Sequence, residues 1–193
     1  MKIHIRRFLA FSAMALLTNV ALADKYSDTI ELFKNAGQSA TFFSNSYGYA
    51  VFPTIAKGGL GVGAAHGSGH VYRKGKYVGN TSVTQVSVGL QAGGQAYSQI
   101  VFLQDERAFN EFTSGQFAFD AGVSAVAITA AVGGKAGSQG ASGNVSGGKK
   151  DAATAPTEYH KGVVVFTVVK GGAMYEASVA GQKFSYEPAG TSN

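Results

Sequence analysis

The chain predicts an α+β fold: a mainly antiparallel, strongly curved, barrel-like β-sheet or sandwich, with a short N-terminal helix and a second helix near residues 105–113. Three observations predict it. Between Gly58 and Tyr72, glycine falls at Gly59, Gly61, Gly63, Gly67 and Gly69, every second residue with Ala65 filling the gap. That is the period of a strand, whose successive side chains point to opposite faces. Short runs of β-branched and aromatic residues, punctuated by glycine, fill most of the chain. Only two stretches carry apolar residues at clear helical spacing.

Taken in order, residues 1–23 read as an export signal: a basic start (Lys2, Arg6, Arg7), an apolar run from Phe8 to Val20, and Ala21-Leu22-Ala23 as a small-x-small cleavage site. The run is shorter than the roughly 20 residues a permanent membrane helix needs. Residues 24–193 are expected to form one soluble domain, long enough to bury a core. From Asp24 to Gly37, Tyr26, Ile30, Leu32, Phe33 and Ala36 fall on one helical side, Asp28 and Glu31 resemble a capping box, and Gly37 supplies a stop. The polar side of this helix (Lys25, Asp28, Glu31, Lys34) is close to neutral, which favours packing on the protein body over lying in a membrane.

Gln38–Ser46 extends the helical pattern through Ala40, Phe42 and Phe43, and Tyr47–Pro53 reads as a strand closed by its proline. The glycine-alternating strand comes next. Its odd side is almost bare, so another backbone or a ligand is expected to lie against it. Arg73-Lys74-Gly75-Lys76 reads as a hairpin turn. Thr84, Val86, Val88, Leu90 and Ala92 alternate with Gln85, Ser87, Gly89 and Gln91, a strand with one wet or ligand-facing side. Ala96–Leu103 is a further strand, and Asp105–Thr113 a helix with Phe109 and Phe112 inward. The uncharged run Ala121–Gly134 predicts one or two buried strands, and Lys135–Thr157 a mobile Gly/Ser/Ala-rich loop. Gly162–Val169 and Ala173–Ala180 pair as a hairpin, and Lys183–Tyr186 closes the sheet.

Composition narrows the chemistry. There is no cysteine, hence no disulfide, thiolate nucleophile, thiolate metal ligand or thiol-borne lipid anchor. Three of the sixteen basic residues sit in the signal and all eleven acids lie beyond it, so thirteen against eleven leaves +2. That weakens a nucleic-acid reading, which would want a strongly basic face, and leaves room for a local basic patch; no nucleic-acid partner is expected. His66 and His70, four residues apart, would converge on a metal in a helix, but on a strand they lie roughly 13 Å apart at about 3.3 Å per residue. They read as polar surface histidines, and no metal or cofactor is expected. Gly143–Lys150 has the phosphate-loop spacing only as far as Lys149. Lys150 then stands where Ser or Thr must meet magnesium. No Gly-x-Ser-x-Gly occurs. Ser68 with His70 is the nearest approach to a hydrolase pair and carries the alternative enzyme reading. The best ligand surface is the hairpin tip: Arg73, Lys74 and Lys76 between Tyr72 and Tyr77, with Lys149 and Lys150 as additional cations for an anionic lipid.

Several stretches, in order, carry a resemblance: Tyr47–Pro53, Lys57–Gly63, Gly93–Ser98, the Phe109–Phe117 region, Gly171–Ala177 and Gly181–Tyr186. Over about Tyr26–Tyr186 the chain resembles the SYLF family of lipid-binding domains, in its bacterial exported branch. The resemblance implies a non-enzymatic domain, which in eukaryotic members binds phosphoinositides or other lipids and in some of them actin. This chain differs from those relatives in its export signal, its lack of tryptophan and its near-neutral first helix. The expected function is a lipid or membrane-surface binding protein of the bacterial envelope, periplasmic or secreted. Its lipid is expected at the Arg73–Lys76 tip, or as an acyl chain in a groove lined by Gly59, Gly61, Gly63, Gly93 and Gly94. A structural or protein-interaction module is the alternative from another class.

Overall fold

The computed structural model describes residues 25–119, 123, 125–128, 158–172, 179 and 181–190. The expected export signal, the Lys135–Thr157 segment with Lys149 and Lys150, and nearly all of Ala173–Ala180 lie outside them. Helix α1 spans residues 25–34, and Gly37 takes a left-handed φ of 60° just beyond it. A short helix, α2 (Phe42–Asn45), comes after it. Two long strands come next, β1 (Gly48–Arg73) and β2 (Lys76–Leu103), then α3 (Glu106–Phe112), β3 (Ala125–Ile128), β4 (Val163–Gly172) and β5 (Lys183–Pro188). Asp105 caps α3, its carboxylate accepting from the Ala108 N–H at 2.8 Å.

The strands expected before and after Pro53 are one strand. Pro53 sits at an irregularity between Phe52 and Ile55, where the ladder makes no demand on its missing N–H, so β1 continues past it. Likewise Thr84–Ala92 and Ala96–Leu103 are parts of β2. The two strands pair antiparallel from Gly48↔Leu103 to Arg73↔Lys76. Lys74 and Gly75, both at positive φ, make the two-residue turn whose twist suits such a hairpin.

A straight strand of this length would reach roughly 85 Å at about 3.3 Å per residue. Instead β1 doubles back on itself. A β-carbon at Gly69 would lie 2.6 Å from the Phe52 ring, one at Gly67 2.7 Å from Ile55 Cγ1, and one at Gly48 2.7 Å from the Tyr72 carbonyl. The bare side therefore does face a backbone, that of its own strand. The first half of β1 and the second half of β2, extended by β4 and then β3, form one layer. The second half of β1, the first half of β2 and β5 form the other.

Between the layers lies a core of Ala50, Phe52, Ile55, Val83, Tyr97, Val101 and Phe184. The outer side of the first layer, with Val51, Ile100, Phe102, Val164 and Phe166, is covered by Tyr26 and Phe33 of α1 and Phe42 of α2. That layer is thus buried on both sides, which explains the unbroken apolar runs Ile100–Leu103 and Val163–Phe166. The sheet is mostly antiparallel; β3 on β4 is parallel. Among the described residues it is open, its path ending at β1 and β3, so the barrel-like form, expected as the alternative to a sandwich, does not close.

One alternation is inverted. Gln85, on the side expected to be wet, is 4% exposed, whereas Val86 is 73% exposed. Period two fixes which residues share a side. Which side turns inward is decided by the layer that packs on it.

Candidate hairpin-tip surface

At the turn, Arg73, Lys74, Lys76 and Tyr77 are exposed and Tyr72 is half-buried. Tyr72 and Tyr77 are register partners, their ring centres 6.1 Å apart. The rings continue in both directions. His70 lies 4.7 Å from Tyr77 and stacks on Tyr26 of α1, 3.5 Å between centres and 8° from parallel. On the other side Tyr72 stacks on Tyr49 at 5.0 Å, and Phe43 meets Tyr49 edge-on at 5.2 Å. One chain of aromatic contacts therefore runs from α1 across the hairpin tip to the α2 region.

Cations border it. Lys25 Nζ stands 5.7 Å above the Tyr26 ring, Lys34 Nζ 5.9 Å above Phe43 and Lys74 Nζ 5.4 Å above Tyr47. Lys34 is paired with Glu31 at 2.9 Å. Among the described residues Lys25, Arg73, Lys74 and Lys76 have no ion-pair partner.

The rings themselves add no charge. Burial, and then Tyr72 beside it, pushes the Tyr49 phenol up to about 12. Tyr26 and Tyr72 are raised as well, first by burial and then by neighbouring phenols. Burial, reinforced by Lys25, lowers the His70 imidazole, so it is neutral at neutral pH. The result is an uncharged row of rings, exposed at Tyr77, half-buried at Tyr72 and buried at Tyr26 and Tyr49, bordered by four cations with no ion-pair partner among the described residues.

The other expected residues are dispersed. His66 and Ser68 are exposed on the outer side of the second layer, whereas His70 is engaged between Tyr26 and Tyr77 instead of lying free on the surface. Among the described residues no group of three or more His, Asp or Glu could hold a metal. Of the proposed groove, Gly63 is buried between the layers, Gly61, Gly93 and Gly94 are exposed, and Gly59 is crowded by the Val62 carbonyl. No described helix is long and apolar enough to cross a membrane.

Sequence reasoning missed that Lys25 borders this tip and that the buried rings of Tyr26 and Tyr49, with the half-buried Phe43, pack beneath and beside it. Helical spacing showed that Tyr26 faces the protein, but nothing local said which strand end it meets.

Residues 84–190 match the family model described as Las17-binding protein actin regulator, Ysc84. The match begins within β2 and takes in α3, β3, β4 and β5, so the turn and α1 precede it. No curated protein matches the chain.

Proposed function

We propose, from the premise that this chain belongs to the SYLF-domain family of lipid-binding and actin-regulating proteins, that it is a non-enzymatic protein which docks on anionic lipid surfaces through its hairpin tip. The family is not a known enzyme family. The observation that carries the reading is the tip itself, the exposed Tyr77 and half-buried Tyr72 with Arg73, Lys74, Lys76 and Lys25 around them. Tyrosine rings favour the membrane interface, and each cation held near an anionic leaflet contributes about 1 kcal/mol. With the export signal expected at residues 1–23, the surface served is that of the bacterial envelope, with the protein periplasmic or secreted.

The test is sedimentation with phosphatidylglycerol-containing vesicles and with neutral phosphatidylcholine vesicles, each at low and high salt. Binding to the anionic vesicles that weakens with salt is expected. No binding at either salt, together with no lipid released from the purified protein on denaturation, refutes it.

The family description speaks of a protein-binding regulator, and one observation favours a protein-interaction reading here too. Leu60 is 82% exposed and Val62 59%, on the outer side that also carries Val86. Such a patch suits a second copy of the chain. Self-association that persists in high salt without lipid, and that is lost in Leu60→Ser with Val86→Ser, would support it.

A further inference from the structure

At the far end of the hairpin from the turn, Lys57 and Gln95 are register partners on β1 and β2, and each is only 4% exposed. Both point between the layers, because Lys57 is in phase with Ile55 and Gln95 with Tyr97, two members of the inner core. The close approaches along β1, Tyr72 on Gly48, Gly69 on Phe52 and Gly67 on Ile55, advance towards Ala65 opposite Lys57. Ala65 is paired with Gln85, a third buried polar residue.

A buried ammonium needs a counter-charge. Among the described residues every carboxylate is exposed, and none pairs with Lys57. Gln95 has neither its Nε2 nor its Oε1 hydrogen-bonded. The contrast with the neighbouring row is sharp. Gln99 and Gln182 exchange amide hydrogen bonds at 2.9 and 3.1 Å, and Gln182 also donates to the Tyr97 hydroxyl at 3.1 Å. Around Lys57 and Gln95 the flanking register positions are glycine: Gly58 opposite Gly94, Gly59 opposite Gly93, and Gly172 beside Gln95 on β4. These register positions themselves carry no side chain, and nothing lies within 4 Å of where a β-carbon of Gly93 would be.

We propose that Lys57 and Gln95 form a recessed subsite for an oxyanion, a phosphate or carboxylate, either free or as the head of an amphiphile. Lys57 supplies the charge and the Gln95 amide N–H a directed hydrogen bond. The subsite is separate from the tip. It rests on the lipid-binding reading only for the alkyl part of an amphiphilic ligand.

Calorimetric titration of the full chain with inorganic phosphate and with octyl phosphate below its micelle concentration tests it. One-site binding is expected, weakened about thirtyfold or more in Lys57→Met, since truncating one member of a buried charge-assisted contact has that effect. Gln95→Leu weakens it as well. Equal binding of the two probes identifies the free ion as ligand, and binding of octyl phosphate alone identifies an amphiphile head. Where a variant does not fold, the Gln95 side-chain amide resonances of the unsubstituted protein must move on titration. Arg73→Ala/Lys74→Ala/Lys76→Ala must keep octyl phosphate binding whether or not it keeps vesicle binding, which separates failure of this subsite from failure of the tip. Absence of saturable binding, unchanged affinity in Lys57→Met, stationary Gln95 resonances or loss of octyl phosphate binding in the tip variant would each overturn the proposal.

Discussion

Gly67→Ala tests the claim that β1 packs main chain against main chain. The added methyl would lie 2.7 Å from Ile55 Cγ1, 2.8 Å from the Thr54 carbonyl oxygen and 3.1 Å from Ile55 Cα. Comfortable separations are roughly 3.5–4.0 Å, so two backbone atoms must retreat by about half an ångström or more. Ile55 is held in register on β2 and Thr54 lies in the bulge just before it, so the layers must part to make room. Overpacking of this kind costs roughly 1–3 kcal/mol, against about 0.4–1 kcal/mol gained from a stiffer unfolded chain. A net loss of about 1.3 kcal/mol is expected, or roughly 3–5 °C in Tm for a chain of this size. Gly94→Ala is the matched control. Gly94 is exposed, and its new methyl would find no atom nearer than 3.7 Å, so its stability should equal or slightly exceed the parent's. Urea unfolding followed by circular dichroism measures both. Gly67→Ala as stable as Gly94→Ala would refute the close packing of the two halves.

Three further outcomes are expected. Arg73→Ala/Lys74→Ala/Lys76→Ala should lose about 3 kcal/mol of binding to phosphatidylglycerol vesicles, on the order of a hundredfold in a flotation assay, and most of the salt dependence with it. His70 has its folded pKa lowered by burial and by Lys25, so between that value and its unfolded value near 6.5 the unfolded chain binds more protons. Stability should therefore fall as pH drops below about 6.5, and urea titrations should show a shallower fall in His70→Phe, which keeps a ring against Tyr26. Gln182→Leu strands the buried Gln99 amide and the Tyr97 hydroxyl, at a cost of roughly 2–4 kcal/mol in urea unfolding. Adding Gln99→Leu should return part of it, because a pair removed whole leaves fewer polar groups unmet.

The elements legible in the sequence are those whose signals are local. Asp105 followed by Phe109 and Phe112 marks α3, and Lys74-Gly75 marks the turn. The glycine alternation from Gly59 to Gly69 announces a close neighbour, a backbone or a ligand. It cannot announce that the neighbour is residues 51–55 of the same strand, because folding back is a property of the whole hairpin. Pro53 was legible as an interruption but not as a bulge. A proline ends a strand only if the ladder needs its N–H, and that depends on β2 continuing alongside, some 45 residues later in the chain.

The candidate site divides along the same line. Arg73, Lys74 and Lys76 stand together because the turn makes them neighbours. Tyr26 and His70 meet only through the seating of α1, and spacing arguments could at most exclude a metal shared with His66. Lys57 shows how much one irregularity decides. Ala50 and Phe52 face the inner core, and an unbroken period of two would turn residues 54 and 56 inward and Lys57 outward. The extra residue at the bulge after Phe52 reverses the phase, so that Ile55 and Lys57 are the ones buried. The proline that looked like the end of a strand is thus what places a cation between the layers opposite Gln95. A lysine in phase with a core isoleucine, read together with a proline two residues before that isoleucine, was the available signal.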